Sequence, residues 1–203
     1  MSGYCHGDGS DDGLAPDGGK NSDKRPPHAV VYRIGFNDEG FAEPFFGELY
    51  KPGNDHSHLM RPRGIATDAE GCIYVCDYDA DRVAVFDSEG QWVGKIDVQH
   101  PEQVAVNSKT GEVYVMSFRI TGYRRSEAKL TKFAGVEKPA VATIDLGMSY
   151  PALGLDTQGE KPVIWLARTF FETWESPLVR RGIEKVVDEG ERLTTPVEVI
   201  GQR

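Results

Sequence analysis

Short apolar runs separated by turn signals fill residues 62–93, and their spacing constrains the fold more than any other feature. The runs are rich in Val, Ile, Tyr and Phe, and two of the turns between them read Asp68–Gly71 and Asp87–Gly90. Such runs between Asp- and Gly-containing turns are typical of β-strands. The connections are too short to hold helices, which argues against a parallel α/β sheet. The stretch therefore predicts an antiparallel meander.

The same pattern returns twice further along the chain. Residues 101–107 repeat the first strand, the turn follows at Gly111, and residues 151–156 begin a third copy. The prolines that open the copies, Pro62, Pro101 and Pro151, lie about 40 and 50 residues apart, which is typical of four-stranded propeller blades. An earlier half-blade is predicted from a strand at Val30–Ile34 and an edge strand that contains Pro44.

About a dozen positions of residues 62–90 resemble, in order and spacing, the NHL-repeat family of six-bladed β-propellers. They are Pro62, Gly64–Ala66, Asp68, Gly71, Ile73–Asp77, Arg82, Val83, Val85–Asp87 and Gly90. Cys76 and Ala80 depart from the pattern, which has Ala and Asn there. The resemblance implies a scaffold and names no activity.

We therefore predict an all-β fold, a β-propeller of four-stranded antiparallel blades with about three and a half blades present. Residues 28–203 form this partial propeller, an incomplete or open arc, because closed propellers have at least four blades. Missing blades or a second chain are expected to complete it. Leu178–Leu193 has an alternative interpretation as a helix, but its Gly182 and Gly190 favour strands.

Residues 1–27 are rich in Gly, Asp and Ser, which predicts disorder or a long loop. A calcium site at Asp8, Ser10 and Asp12 is the alternative, although the twelfth loop position holds Gly19 instead of a carboxylate. No other cofactor is predicted.

Charge and hydropathy limit the partners. The formal net charge of −9 argues against nucleic acid as a partner. The sequence has no long apolar run that would span a membrane and no recognisable signal peptide, and it predicts a soluble protein. It assigns no compartment, while the family resemblance is compatible with an extracytoplasmic one.

The resemblance also implies a structural role for Asp77 and Arg82. In the family, an Asp that ends the second strand bonds an Arg that begins the third, and a two-pronged guanidinium–carboxylate bond is geometrically specific. A solvated loop pair is the other interpretation.

Topology predicts that binding falls on one face. Strands alternate in direction, so the short turns share one face, and the connections between strands two and three and between blades share the other. Three long segments are predicted as insertions on that second face: 48–60 with His56 and His58, 117–129 and 169–177. Binding sites usually lie on long loops of a rigid scaffold. The alternative is that the aromatic side chains of these segments, such as Phe170, Phe171 and Trp174, pack locally. The candidate binding residues are Arg61, His100, Gln103, Tyr150, Arg124, Arg125, Phe170 and Trp174.

The sequence therefore favours a ligand- or protein-binding scaffold. The alternative is part of a propeller enzyme, lactonase-like or amidating-lyase-like, with a metal in the central channel. His100 is the one residue placed as such a ligand would be, and the matching Arg61 and Tyr150 are not metal ligands. Enzymatic activity is poorly supported because no nucleophile elbow or metal motif is present.

Overall fold

The structure is a computed structural model that describes residues 29–34, 44–122, 125–147, 152–170 and 180–201. In these residues the chain forms strands and one short 3₁₀ helix at Tyr78–Ala80. The strands are β1 Val30–Tyr32, β2 Pro44–Gly47, β3 Pro62–Thr67, β4 Ile73–Asp77, β5 Arg82–Phe86, β6 Trp92–Asp97, β7 Pro101–Val106, β8 Val113–Gly122, β9 Arg125–Phe133, β10 Ala140–Gly147, β11 Ala152–Asp156, β12 Val163–Phe170, β13 Arg180–Val187 and β14 Val197–Gly201.

The strands assemble into antiparallel sheets in chain order. β1 and β2 form a two-stranded half-blade, and β3–β6, β7–β10 and β11–β14 form the first, second and third blades. The first strand of each blade is innermost, since β7 packs against both β3 and β11. The prediction of an all-β partial propeller with three and a half blades is confirmed.

The core consists of layers between neighbouring blades. Tyr74 and Val83 of the first blade pack with Val115 of the second, and Tyr114 of the second packs with Leu166 of the third. A third layer joins the half-blade to the first blade. In the first blade, Val75, Val83, Val85 and Phe86 are buried, and Ile65 and Ile73 are half-buried.

The short turns share one local chemistry. The side chain of Asp68 accepts a hydrogen bond from the N–H of Glu70, two residues on, and Asp87 accepts one from Glu89 in the same way. The turns close at Gly71 and Gly90, which adopt φ of 85° and 81°. Local sequence alone specifies an Asx-turn followed by a left-handed glycine. The positions of these turns can therefore be predicted without knowledge of the tertiary structure.

One predicted insertion is wrong. Residues 117–122 and 125–129 do not form a loop, because they belong to β8 and β9, which pair as a long hairpin with Phe118 opposite Ala128. Both side chains are buried in the layer against the third blade, so the hairpin extends the core. At residues 178–193, strand β13 excludes the helical alternative for the described part.

Several predictions fall beyond these residues. Of the 169–177 segment, Thr169 and Phe170 belong to β12, and the remainder lies outside the described residues. So do residues 1–27, with the calcium candidates Asp8, Ser10 and Asp12. In the part of the chain described, no helix is long and apolar enough to cross a membrane.

Candidate functional site

Asp77, at the end of β4, is fully buried and holds three donors on the face opposite the short turns. Its Oδ1 accepts the N–H groups of Met60 and Arg61 at 2.8 and 2.9 Å, and its Oδ2 accepts Nε–H of Arg82 at 3.1 Å. Burial raises the pKa of the Asp77 carboxyl, and these amide groups and the guanidinium oppose that rise. The carboxylate thereby fixes the backbone at the start of β3.

The Arg82 guanidinium continues this network into the preceding connection. It donates to the carbonyls of Asn54, Asp55 and His58 at 2.7, 3.0 and 2.9 Å. The structure thus places Asp77 and Arg82 in contact, as the resemblance implies, and shows that they also anchor the connection 48–60.

Beside this anchor, three side chains surround the ring of Tyr78 on the same face. The guanidinium carbons of Arg61 and Arg63 lie 4.8 and 5.0 Å from the ring centroid, and the His100 ring centroid lies 4.9 Å away. These distances fit cation–π and aromatic contacts. We call Tyr78, Arg61, Arg63 and His100 the Tyr78 cluster; Arg61 precedes β3 and His100 precedes β7, so two blades contribute.

Acidic side chains hold both guanidinium groups of the cluster. Arg61 donates to Asp79 at 2.9 Å, and Arg63 donates to Glu102 of the second blade at 3.4 Å. The side chains of Arg61 and Arg63 remain 31% and 25% exposed, so the cluster is open to solvent.

His100 adopts a left-handed backbone, with φ of 47°, and so does Asp81, with φ of 51°. Asp81 holds His100 in place, since its Oδ1 accepts the His100 N–H at 2.9 Å. The His100 Nδ1 lies 3.4 Å from the same oxygen but is not aligned as a hydrogen-bond donor. Left-handed backbone at residues other than glycine costs free energy and is concentrated at functional sites.

Two β-bulges shape this site. Pairing of β3 with β4 shifts between Pro62 and Ile65, and pairing of β7 with β8 shifts between Pro101 and Gln103. Arg63 and Glu102 lie within these shifts. Bulges redirect side chains and recur next to binding sites, which accounts for the contact between the two residues across blades.

The other sequence-predicted residues that the structure describes are not part of the cluster. Gln103 ties the second blade to the third, because its Oε1 accepts the Leu153 N–H at 2.6 Å. Arg125 begins β9 and Phe170 ends β12. Arg124, Tyr150 and Trp174 lie outside the described residues.

Sequence reasoning missed Arg63, Tyr78 and Glu102. Arg63 follows Arg61 by two residues, and Tyr78 directly follows Asp77. Both could therefore have been predicted from their closeness in sequence to residues that were already assigned. The contact with Glu102 crosses between blades and had no local signal.

A shallow depression of about 470 Å³ adjoins the anchored connection, lined by Asn54–His58, Arg82, Trp92 and Lys95. His56 stacks on Trp92 at 4.5 Å. His58 Nδ1 lies 2.9 Å from the Asp55 carboxylate and its Nε2 lies 3.7 Å from Glu48. The hydrogen bond with Asp55 raises the pKa of His58.

A second polar network is buried between the second and third blades. The Lys132 ammonium lies 2.7 Å from both Glu112 and Asp188, and the Tyr114 hydroxyl donates to Asp188 at 2.5 Å. Burial raises the pKa of Tyr114, and the hydrogen bond to Asp188 is the second-largest cause of the rise. Burial lowers the pKa of Lys132, but hydrogen bonds to Asp188 and Glu112 outweigh it, and the net shift is upward. Every donor faces an acceptor, so the network joins the blades structurally.

Within the described ranges, no three His, Cys, Asp or Glu side chains are grouped so as to hold a metal ion. No protein-family model and no curated protein matches the chain. Among solved structures the chain is similar to hydrazine synthase of Kuenenia stuttgartiensis, with 17% sequence identity and a TM-score of 0.49. The match covers 70% of this chain and 39% of that chain.

Proposed function

We propose that this propeller is a binding scaffold of the NHL type and that its ligand binds the Tyr78 cluster through an anionic group. The convergence of two guanidinium groups and one imidazole on a single aromatic ring carries the proposal. The scaffold supports these groups rigidly, because the Asp77–Arg82 anchor fixes the start of β3 and Asp81 fixes His100.

The chemistry of the cluster favours a carboxylate or a phosphate. A guanidinium carries five N–H donors in a planar fork that matches such oxyanions in two-pronged bonds. Among the described residues, Arg61 and Arg63 each donate to a single acidic side chain, so further donors remain for a ligand. The Tyr78 ring holds the guanidinium groups face-on and reduces the side-chain entropy lost on binding.

Titration of the protein with citrate and with inorganic phosphate, followed by isothermal calorimetry, tests this proposal. We expect Arg61→Met and Arg63→Met each to weaken binding about tenfold, which is the contribution of one charge-assisted contact. Glu89→Ala, on the short-turn face, is the matched control and should bind as the unaltered protein does. Equal losses from both faces, or no binding of either anion, would overturn the proposal.

Variants at two other predicted binding residues, Trp174 and Arg124, extend the test to larger ligands. If a larger ligand also binds residues 169–177 and 123–125, Trp174→Ala and Arg124→Ala should weaken its binding while leaving that of phosphate unchanged. If neither variant changes the binding of the larger ligand, the binding site is limited to the Tyr78 cluster.

A further inference from the structure

The outer face of the third blade exposes large apolar side chains. Strand pairing sets Gly154, Trp165, Lys185 and Val197 in one row across the blade. Trp165 is 36% exposed, Val197 is 53% exposed, and Ile183 on the same face is 37% exposed. Exposed apolar side chains grouped on one face of a sheet indicate an interaction site.

The corresponding rows of the other two blades are buried or half-buried. By the same pairing they are Ala66, Tyr74, Val85 and Gly94 in the first blade, and Ala105, Tyr114, Lys132 and Ala142 in the second. Tyr74 is 5% exposed and Tyr114 is 0% exposed, because the following blade covers each of them. Trp165 holds the position of these tyrosines, so its face has the make-up of an interface between sheets.

The charge of Lys185 indicates what kind of surface covers this face. In the second blade the buried Lys132 meets the Asp188 carboxylate of the blade that covers it. Lys185 holds the same position in the third blade, is exposed, and has no acidic partner among the described residues. A covering sheet that brings a carboxylate to Lys185 would form the same kind of ion pair as Lys132 makes with Asp188.

The face itself carries such a carboxylate. Asp156 of β11 pairs with Val163, two rows from the pair of Gly154 with Trp165, and therefore lies on the same face. Its Oδ1 accepts the Gln158 N–H at 2.9 Å, and its Oδ2 has no hydrogen-bond donor among the described residues. Lys185 lies on β13, on the other side of the central strand β12. A two-fold axis along β12 exchanges the β11 and β13 sides, so the acid of one copy comes to the base of the other. Faces that complement themselves in this way form two-fold symmetric dimers.

We propose that the outer face of the third blade binds the same face of a second copy of this chain. Trp165 packs against its counterpart at the centre, and Lys185 pairs with Asp156 of the second copy on each side. This inference is independent of the Tyr78 cluster, which lies at the junction of the first two blades.

Sedimentation velocity of the full chain tests the dimer, across about a hundredfold range of concentration around the micromolar, where small specific interfaces dissociate. We expect a concentration-dependent dimer that Trp165→Glu and the more exposed Val197→Glu both abolish. Val141→Glu is the control, since Val141 is 38% exposed on another blade. Circular dichroism melting of each variant verifies that it folds.

A charge exchange makes the test specific. Lys185→Glu sets like charges opposite each other twice per dimer, and we expect it to weaken the dimer about tenfold or more. Combining it with Asp156→Lys should restore much of that loss. A monomer at every concentration, a dimer equally sensitive to Val141→Glu, or failure of the exchange to restore association in a folded variant would overturn the proposal.

Discussion

Replacing Arg82 by Met removes the centre of the network that anchors the connection 48–60. The guanidinium makes four hydrogen bonds, one to Asp77 Oδ2 and three to backbone carbonyls. Methionine fills much of the same volume without charge. The variant therefore leaves Asp77 buried with two amide donors, those of Met60 and Arg61.

The expected loss is large. Removing one partner of a buried ion pair costs about 3–5 kcal/mol, because the other charge stays buried without compensation. The three carbonyls belong to a connection near the surface and can rebind water, so we expect Arg82→Met to lose about 3 kcal/mol. A domain of this kind has about 5–15 kcal/mol in all, so the variant folds with a much lower melting temperature.

The loss depends on pH in a definite direction. Burial already raises the pKa of Asp77 with Arg82 in place, and removal of the guanidinium raises it further. The folded state then binds more protons than the unfolded state between the ordinary pKa of an Asp and the raised one. Stability therefore falls as pH rises through that window, and the deficit of Arg82→Met is smallest in acid.

Urea denaturation, followed by circular dichroism at several pH values, measures these terms. Asp77→Asn keeps an acceptor for both amide groups, and the double variant should lose clearly less than the sum of the two single losses. Arg192→Met is the control, because Arg192 is 79% exposed in its pair with Glu189 and should matter little. A loss below about 1 kcal/mol for Arg82→Met, additive with Asp77→Asn, would show a solvated loop pair and refute the reasoning.

Three further predictions concern other parts of the chain. Lys132→Met leaves the Asp188 carboxylate buried between two blades and should cost about 3 kcal/mol in urea denaturation, whereas loss of a surface pair would cost far less. Gly64→Ala places a Cβ 2.6 Å from a backbone carbonyl of β7 and should lower stability by about 1–3 kcal/mol and weaken anion binding in calorimetry. His58 has a raised pKa in the folded state, so its pairing with Asp55 stabilises the connection at low pH and is lost as pH rises through the raised value. Hydrogen exchange of residues 48–60 should therefore quicken with rising pH beyond its intrinsic increase, and His58→Gln should remove that excess.

The strands and turns were predictable because their signals are local. Each short turn combines an Asx side chain with a left-handed glycine, and no distant contact is needed to form it. The β8–β9 hairpin was missed because polar residues such as Arg119 and Glu127 dilute its alternation. Its pairing is decided by burial of Phe118 and Ala128 against the third blade, which a single sequence does not display.

The candidate site was predictable only in outline. Topology places the residues before β3 and β7 on one rim, and this located Arg61 and His100. It could not indicate that Arg63 meets Glu102, since that contact depends on how far apart two blades stand and on where each inner strand bulges. Neither the distance between the blades nor the position of the bulges can be predicted from a local run of residues.

Gly64 connects these two quantities. A Cβ at this position would lie 2.6 Å from the Glu102 carbonyl oxygen and 2.8 Å from the Gln103 Cα, so only glycine lets β3 and β7 approach this closely. The close approach falls within the bulges of both β3 and β7, where Arg63 and Glu102 contact each other. The same glycine that permits the packing of the first two blades therefore also brings the guanidinium, the carboxylate and the Tyr78 ring to one place. Blade packing and the candidate site are set by one contact, which is why a change that separates the blades should also weaken binding.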